Sequence, residues 1–140
     1  MSKQKGQKIP EHKWRFKTIE MLGKDVWPTL SEQESALIKR CHALRKKVLN
    51  DFTVEDLRIM IGQNIGLDHL VPLAIEVISD DLFAEGDYYE GDLLKNVLNI
   101  APRFWANNKI YWEMINSMLT GRLEELSDMK INYKCFYEKS

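Results

Sequence analysis

The sequence predicts an all-α fold, a single compact domain of roughly five to seven helices around a central αα-hairpin. Three observations carry this expectation. Apolar residues recur at helical spacing along most of the 140 residues. Residues 52–98 combine the densest of that periodicity with the clearest helix start in the chain. Two helical patterns inside this stretch are joined so tightly that they have to pack on each other. The length suits one domain with a single core and is short for two. A hydrophobic content of 44% with 29% charged residues is globular rather than disordered. The expected division is a flexible basic N-terminus over residues 1–11 and a single helical domain over residues 12–140.

Taken in order, the elements are justified as follows. Residues 1–10 are rich in Lys and Gln and read as a frayed terminus. From His12 to Leu22 a short helix is expected, closed by Gly23 as the residue after its end. Trp27-Pro28 reads as an extended or turning connection, because proline disfavours helix at the residue before it. Ser31 and Glu34 fit a capping box, opening a helix with Ala36, Leu37, Cys41, Leu44 and Val48 on one face. Its other face holds Lys39, Arg40, Arg45, Lys46 and Lys47.

The hairpin follows. Thr53 is the expected N-cap with Asp56 three residues on, and Phe52 can staple onto Leu57. Glu55 and Asp56 put two acids in the first turn, where the helix dipole favours them. Leu57, Met60 and Ile61 form an i, i+3, i+4 stripe, with Ile65 one turn further along and Gly66 placed to end the helix. Asp68 then caps a second helix, with Pro72 near its start and Leu70, Leu73, Ala74, Val77 and Ile78 on its buried face.

Residues 79–91 are a loop by composition, with two Gly and five acids. Asp92 is expected to cap a short helix bearing Leu93, Leu94, Val97 and Leu98, which Pro102 breaks. Asn108 is expected to cap a last long helix through Trp112, Ile115, Leu119, Leu123 and Leu126. Residues 131–137 alternate partially and read as either a short strand or a docked tail.

Charge is distributed unevenly behind a net of −1. Residues 1–58 carry thirteen Lys and Arg against eight Asp and Glu, a net of +5, whereas residues 59–100 carry one against eight, a net of −7. Residues 101–140 carry six against five, a net of +1. Between Ile59 and Leu94 there is neither Lys nor Arg. No apolar run approaches the roughly 20 residues of a membrane helix, and the basic N-terminus lacks the apolar stretch of a signal peptide. The expected location is the cytoplasm, with no membrane partner. Cys41 and Cys135 stand alone and far apart, which fits two reduced thiols.

No catalytic, cofactor or metal site is expected. His12, His42 and His69 lack metal-ligand spacing, no Ser or Cys is arranged with a His and an acid, and the calcium-loop pattern is absent. Trp112, Met114 and Met118 are expected in the core.

Two surface features compete for a binding role. The acidic segment contains Glu76, Asp80, Asp81, Glu85, Asp87, Glu90 and Asp92, with Tyr88 and Tyr89 between. Read functionally, it meets a basic surface, since charge complementarity speeds encounter and tyrosine anchors interfaces. Read plainly, it is a solvated loop whose acids cap neighbouring helices while the tyrosines pack on the core, and the residues alone favour this second reading. The basic cluster at residues 39–47 admits a nucleic-acid-binding or regulatory module. It carries no recognised reading motif, and a pI of about 6.3 argues against a dedicated binder, so no nucleic acid is expected.

At this point the segments LRKK (residues 44–47), FTVEDLRIMIGQNIGLDHLVPLAIEVI (residues 52–78) and EGDYYEGDLLKNVL (residues 85–98) resemble immunity proteins of contact-dependent growth inhibition systems. The resemblance spans residues 41–105. It implies an immunity-type domain over residues 12–140 that binds the cognate C-terminal toxin domain of a CdiA-type effector, often a nuclease, and blocks its active site or substrate groove. It implies a stoichiometric binder and not an enzyme. With that partner, the candidate toxin-binding residues are Asp80, Asp81, Glu85, Asp87, Tyr88, Tyr89, Glu90 and Asp92.

Overall fold

A computed structural model describes residues 13–138 of the chain. The described residues form nine α-helices, five of them seven residues or longer, and no strand. The chain divides into two compact units, Met1–Phe52 and Thr53–Ser140. The expected N-terminal arm of residues 1–11 and the expected helix residue His12 lie outside the described residues.

The first unit is built from short pieces. A 3-10 turn at Lys13–Phe16 precedes α1 (Ile19–Gly23), whose N-cap Thr18 accepts a hydrogen bond from the Met21 amide. The single helix expected from residue 12 is therefore broken at Thr18. The left-handed residue closing α1 is Lys24, at φ 52°, while Gly23 remains helical. Helix α2 (Ala36–Leu44) starts later than the Ser31 pattern suggests. Ser35 is the cap, its hydroxyl accepting from the Ile38 amide, and Ser31 instead accepts from Gln33 in a local turn. A serine oxygen serves whichever amide the chain direction brings to it, and two serines four apart offer two starts. Of the expected apolar face of α2, Cys41 and Leu44 are buried, whereas Ala36 and Leu37 are exposed.

Arg45 departs most from expectation. Placed on the basic face by sequence, it is only 4% exposed. Its guanidinium donates to the Asp25 carbonyl, lies 3.8 Å from the Asp25 carboxylate and 4.0 Å from Glu20, and sits 4.3 Å over the Trp27 ring. An arginine so enclosed holds its own unit together and is withdrawn from any ligand.

The second unit contains the hairpin. Thr53 and Asp56 form the full capping box at the start of α3 (Val54–Gly62), with bonds of 3.1 and 3.0 Å. The stripe residues Leu57, Met60 and Ile61 are buried. The turn to α4 (Leu67–Asp80) places Asn64 at φ 60° and Gly66 at φ 67°. Gly66 is thus the N-cap of α4 rather than the terminator of α3, and Asp68 lies inside the first turn rather than capping it. Because α4 starts at Leu67, Pro72 is its sixth residue and forfeits one backbone bond. Burial of Leu70, Val71, Leu73, Ala74, Ile75 and Ile78 on α4 outweighs that loss, at about 1.5–3 kcal/mol for each large side chain.

Helix α5 (Asp92–Leu98) lies against both hairpin helices, with Leu93, Leu94, Val97 and Leu98 fully buried. A Cβ on Gly62 would meet the Asn96 side chain at 2.8 Å, and Asn96 Nδ2 donates to the Arg58 carbonyl at 2.8 Å. Then come α6 (Pro102–Ala106), with its proline at the first position, and α7 (Lys109–Leu119), which packs on α4. Asn108 precedes α7 without capping it, because its side-chain Nδ2 donates back to Phe104 O. The expected long last helix is interrupted at Gly121, φ 81°, and resumes as α8 (Leu123–Asp128).

Residues 131–137 form no strand. They end in α9 (Lys134–Tyr137), a single turn docked on aromatic side chains. Phe136 stacks on Trp112 at 5.2 Å and meets Trp105 edge-on at 5.3 Å, and Trp112 Nε1 donates to the Phe136 carbonyl. Met114, expected in the core, is 45% exposed on α7.

Candidate functional site: an acidic loop held from below

The loop between α4 and α5 begins at Asp81 and ends at Gly91, and buried acids define its shape. Glu55, in the first turn of α3, is 9% exposed, and Asp92, the first residue of α5, is 2% exposed. Four consecutive loop amides point at these two carboxylates. Gly86 N donates to Asp92 Oδ1 at 2.7 Å, and Asp87 N donates to Glu55 Oε1 at 2.8 Å. Tyr88 N and Tyr89 N both donate to Asp92 Oδ2, at 3.0 and 3.4 Å. Charge-assisted bonds of this kind are roughly twice as strong as neutral ones.

Arg58 completes the arrangement one turn along α3. Its Nε and Nη2 both donate to Glu55, and Nε lies 3.7 Å from Asp92 Oδ2. The hydrogen bond to Glu55 raises the Arg58 pKa above its ordinary value, so the guanidinium stays charged. It also lies 4.1 Å beneath the Tyr88 ring. Two glycines make the approach possible. A Cβ on Gly86 would fall 2.5 Å from Glu55 Oε1. Gly91 has φ +85°, and its Cβ would meet Ile131 at 2.6 Å.

With the amides turned inward, the side chains of Glu85, Asp87, Tyr88, Tyr89 and Glu90 face solvent. Tyr88 is 71% exposed and Tyr89 40%, so the tyrosines do not pack on the core. Asp80 and Asp81 are also exposed, at the end of α4. The structure therefore brings seven of the eight sequence candidates to the surface and withdraws the eighth. Asp92 neither caps a helix with its side chain nor lies where a partner can touch it, because three backbone N–H groups claim its oxygens. Glu55 and Arg58 were missed by sequence reasoning. Glu55 reads as an ordinary first-turn acid, and its 32-residue separation from Asp87 leaves no local signal.

Elsewhere, the nucleic-acid reading loses Arg45 from its basic cluster. Two open grooves, of about 930 and 710 Å³, border α7 and α9, the first lined by residues including Asn116, Thr120 and Tyr137, the second by Trp105, Trp112 and Phe136. Among the described residues no group of three or more His, Cys, Asp or Glu is placed to hold a metal ion. Nor is any helix among them long and apolar enough to cross a membrane. Cys41 and Cys135 are both free thiols.

No curated protein matches the chain. A family model described as CDI immunity proteins matches residues 21–115, well over half the chain, including the hairpin, the acidic loop and α5. The protein thus belongs to the contact-dependent growth inhibition immunity family, whose members are non-enzymatic inhibitors.

Proposed function

We propose that this protein acts in the cytoplasm, where it binds the cognate C-terminal toxin domain of a CdiA-type effector and neutralises it by covering its active site or substrate groove. Residues 12–140 serve as one immunity module in this reading. The contact is the outer face of the acidic loop: Asp80, Asp81, Glu85, Asp87, Tyr88, Tyr89 and Glu90, with Asp92 acting from beneath. A nuclease is the toxin class that suits it, because a groove built for phosphates is lined by cations and an acidic cover complements it. One observation carries this proposal. Four successive loop amides are bound by Glu55 and Asp92, so the acids and tyrosines are held outward before any partner arrives. Ordering that is already complete in the free protein is not charged against binding.

The test is co-expression with the toxin domain encoded immediately upstream, scored for a stoichiometric complex and for host survival. A one-to-one complex with restored growth supports the proposal. Absence of both would overturn it. A variant with Asp81→Lys, Glu85→Lys, Asp87→Lys and Glu90→Lys addresses the contact itself. It should fold normally and protect poorly, and full protection by it would rule the loop out.

A further inference from the structure

Tyr88 is where the loop's rigidity and its charge meet. Its amide is bound to Asp92, and one face of its ring lies over Arg58, yet the residue is 71% exposed. An exposed tyrosine at a loop tip normally samples several rotamers. Here the platform beneath it is itself fixed, since both oxygens of Glu55 accept from Arg58. The remaining ring face is presented to solvent in a set orientation.

Charge decides what that face can accept. Arg58 lies between Glu55 and Asp92, so the three together carry −1 and the guanidinium does not repel a second cation. The exposed Glu85, Asp87 and Glu90 add to the negative field around the ring. An aromatic face in such a field attracts ammonium or guanidinium groups.

We propose that the loop is a preformed receptor for a cationic side chain. An Arg or Lys of the toxin domain seats on the outer face of Tyr88, and Arg58 is the positioning residue that holds the ring ready. This rests on the reading of the acidic loop as the toxin contact and names the chemistry of its centre.

The experiment measures association and dissociation rates against the purified cognate toxin domain, with the fourfold charge reversal as reference. Tyr88→Ala should raise the dissociation rate about 30-fold or more, as loss of an interface anchor does. Tyr88→Phe should stay within about threefold, because the ring face and not the hydroxyl makes the contact. Arg58→Lys keeps the charge but loses the paired donation to Glu55 and the planar stack. It should weaken binding about tenfold through dissociation, and that effect should vanish when combined with Tyr88→Ala. An Arg58→Lys loss that persists in the Tyr88→Ala background marks a merely structural role and overturns its assignment. If Tyr88→Ala binds as wild type while the charge reversal slows association, the loop is the contact but the receptor proposal is wrong. If the charge reversal also changes nothing, the reading beneath it fails.

Discussion

At the scale of single residues, burial separates acids that the sequence presents as equals. Asp87 and Asp92 stand five apart in one acidic run, but one faces water and the other accepts three backbone hydrogen bonds. Asp92→Ala removes the acceptor from three loop amides and a negative neighbour from Arg58. It should destabilise the protein by about 2–4 kcal/mol in chemical denaturation, since bonds to charged groups contribute more than neutral ones. Asp87→Ala leaves the backbone bond to Glu55 in place and should stay within about 0.5 kcal/mol. Equal effects from both would mean the loop is not held by its buried end. The thiols differ in the same way. Burial raises the pKa of Cys41, which lowers its thiolate fraction at any given pH, whereas Cys135 is only half-buried. A thiol reagent under native conditions should therefore label Cys135 first, and preferential labelling of Cys41 would contradict its enclosure.

At the scale of elements, legibility follows the range of the interactions that decide each feature. The start of α3 was readable because a capping box is settled within four residues, and both of its bonds are present. Thr53→Ala should cost about 1 kcal/mol, within a 0.5–2 range, measured as a shift in denaturation midpoint at unchanged slope. A neutral result would show that packing alone positions this helix. The buried stripes of α3, α4 and α5 were readable for the same reason, since periodicity is local. What failed was fixed at a distance. Gly66 was assigned to the wrong helix because its left-handed φ suits an end or a start, and only the path of the next helix distinguishes them. Arg45 was placed on a solvated face because its partners, Glu20, Asp25 and Trp27, lie some 20 residues earlier. Residues 131–137 read equally as a short strand or a docked tail, because the docking of Lys134–Tyr137 on Trp105 and Trp112 that decides between them is non-local. The acids of the loop stood out by charge, but the residues alone favoured tyrosines packed on the core, and neither the outward Tyr88 and Tyr89 nor the Glu55–Arg58–Asp92 support beneath them was legible.

At the scale of the whole molecule, the uneven charge bears on rate more than on affinity. The segment 59–100 carries a net of −7 and its loop acids face solvent, so the cationic toxin surface of the proposed complex would be attracted before contact is made. Such steering acts through solvent and is screened, with a Debye length of about 10 Å at 0.1 M salt and about 3 Å at 1 M. The proposed contact at Tyr88 would exclude solvent once formed and be screened less. Raising salt over that range should therefore slow association with the cognate toxin domain at least tenfold while changing dissociation by less than about threefold. In the variant with Asp81, Glu85, Asp87 and Glu90 reversed to Lys, association at low salt should already be slow and should no longer fall as salt rises. Tyr88→Ala should keep the wild-type salt dependence of association, because it leaves the field intact and removes only the seat. A salt effect confined to dissociation would reverse this assignment, making the acids close-range contacts rather than a steering field. Rates independent of salt in every variant would instead point to a toxin surface that meets this protein through its apolar side chains.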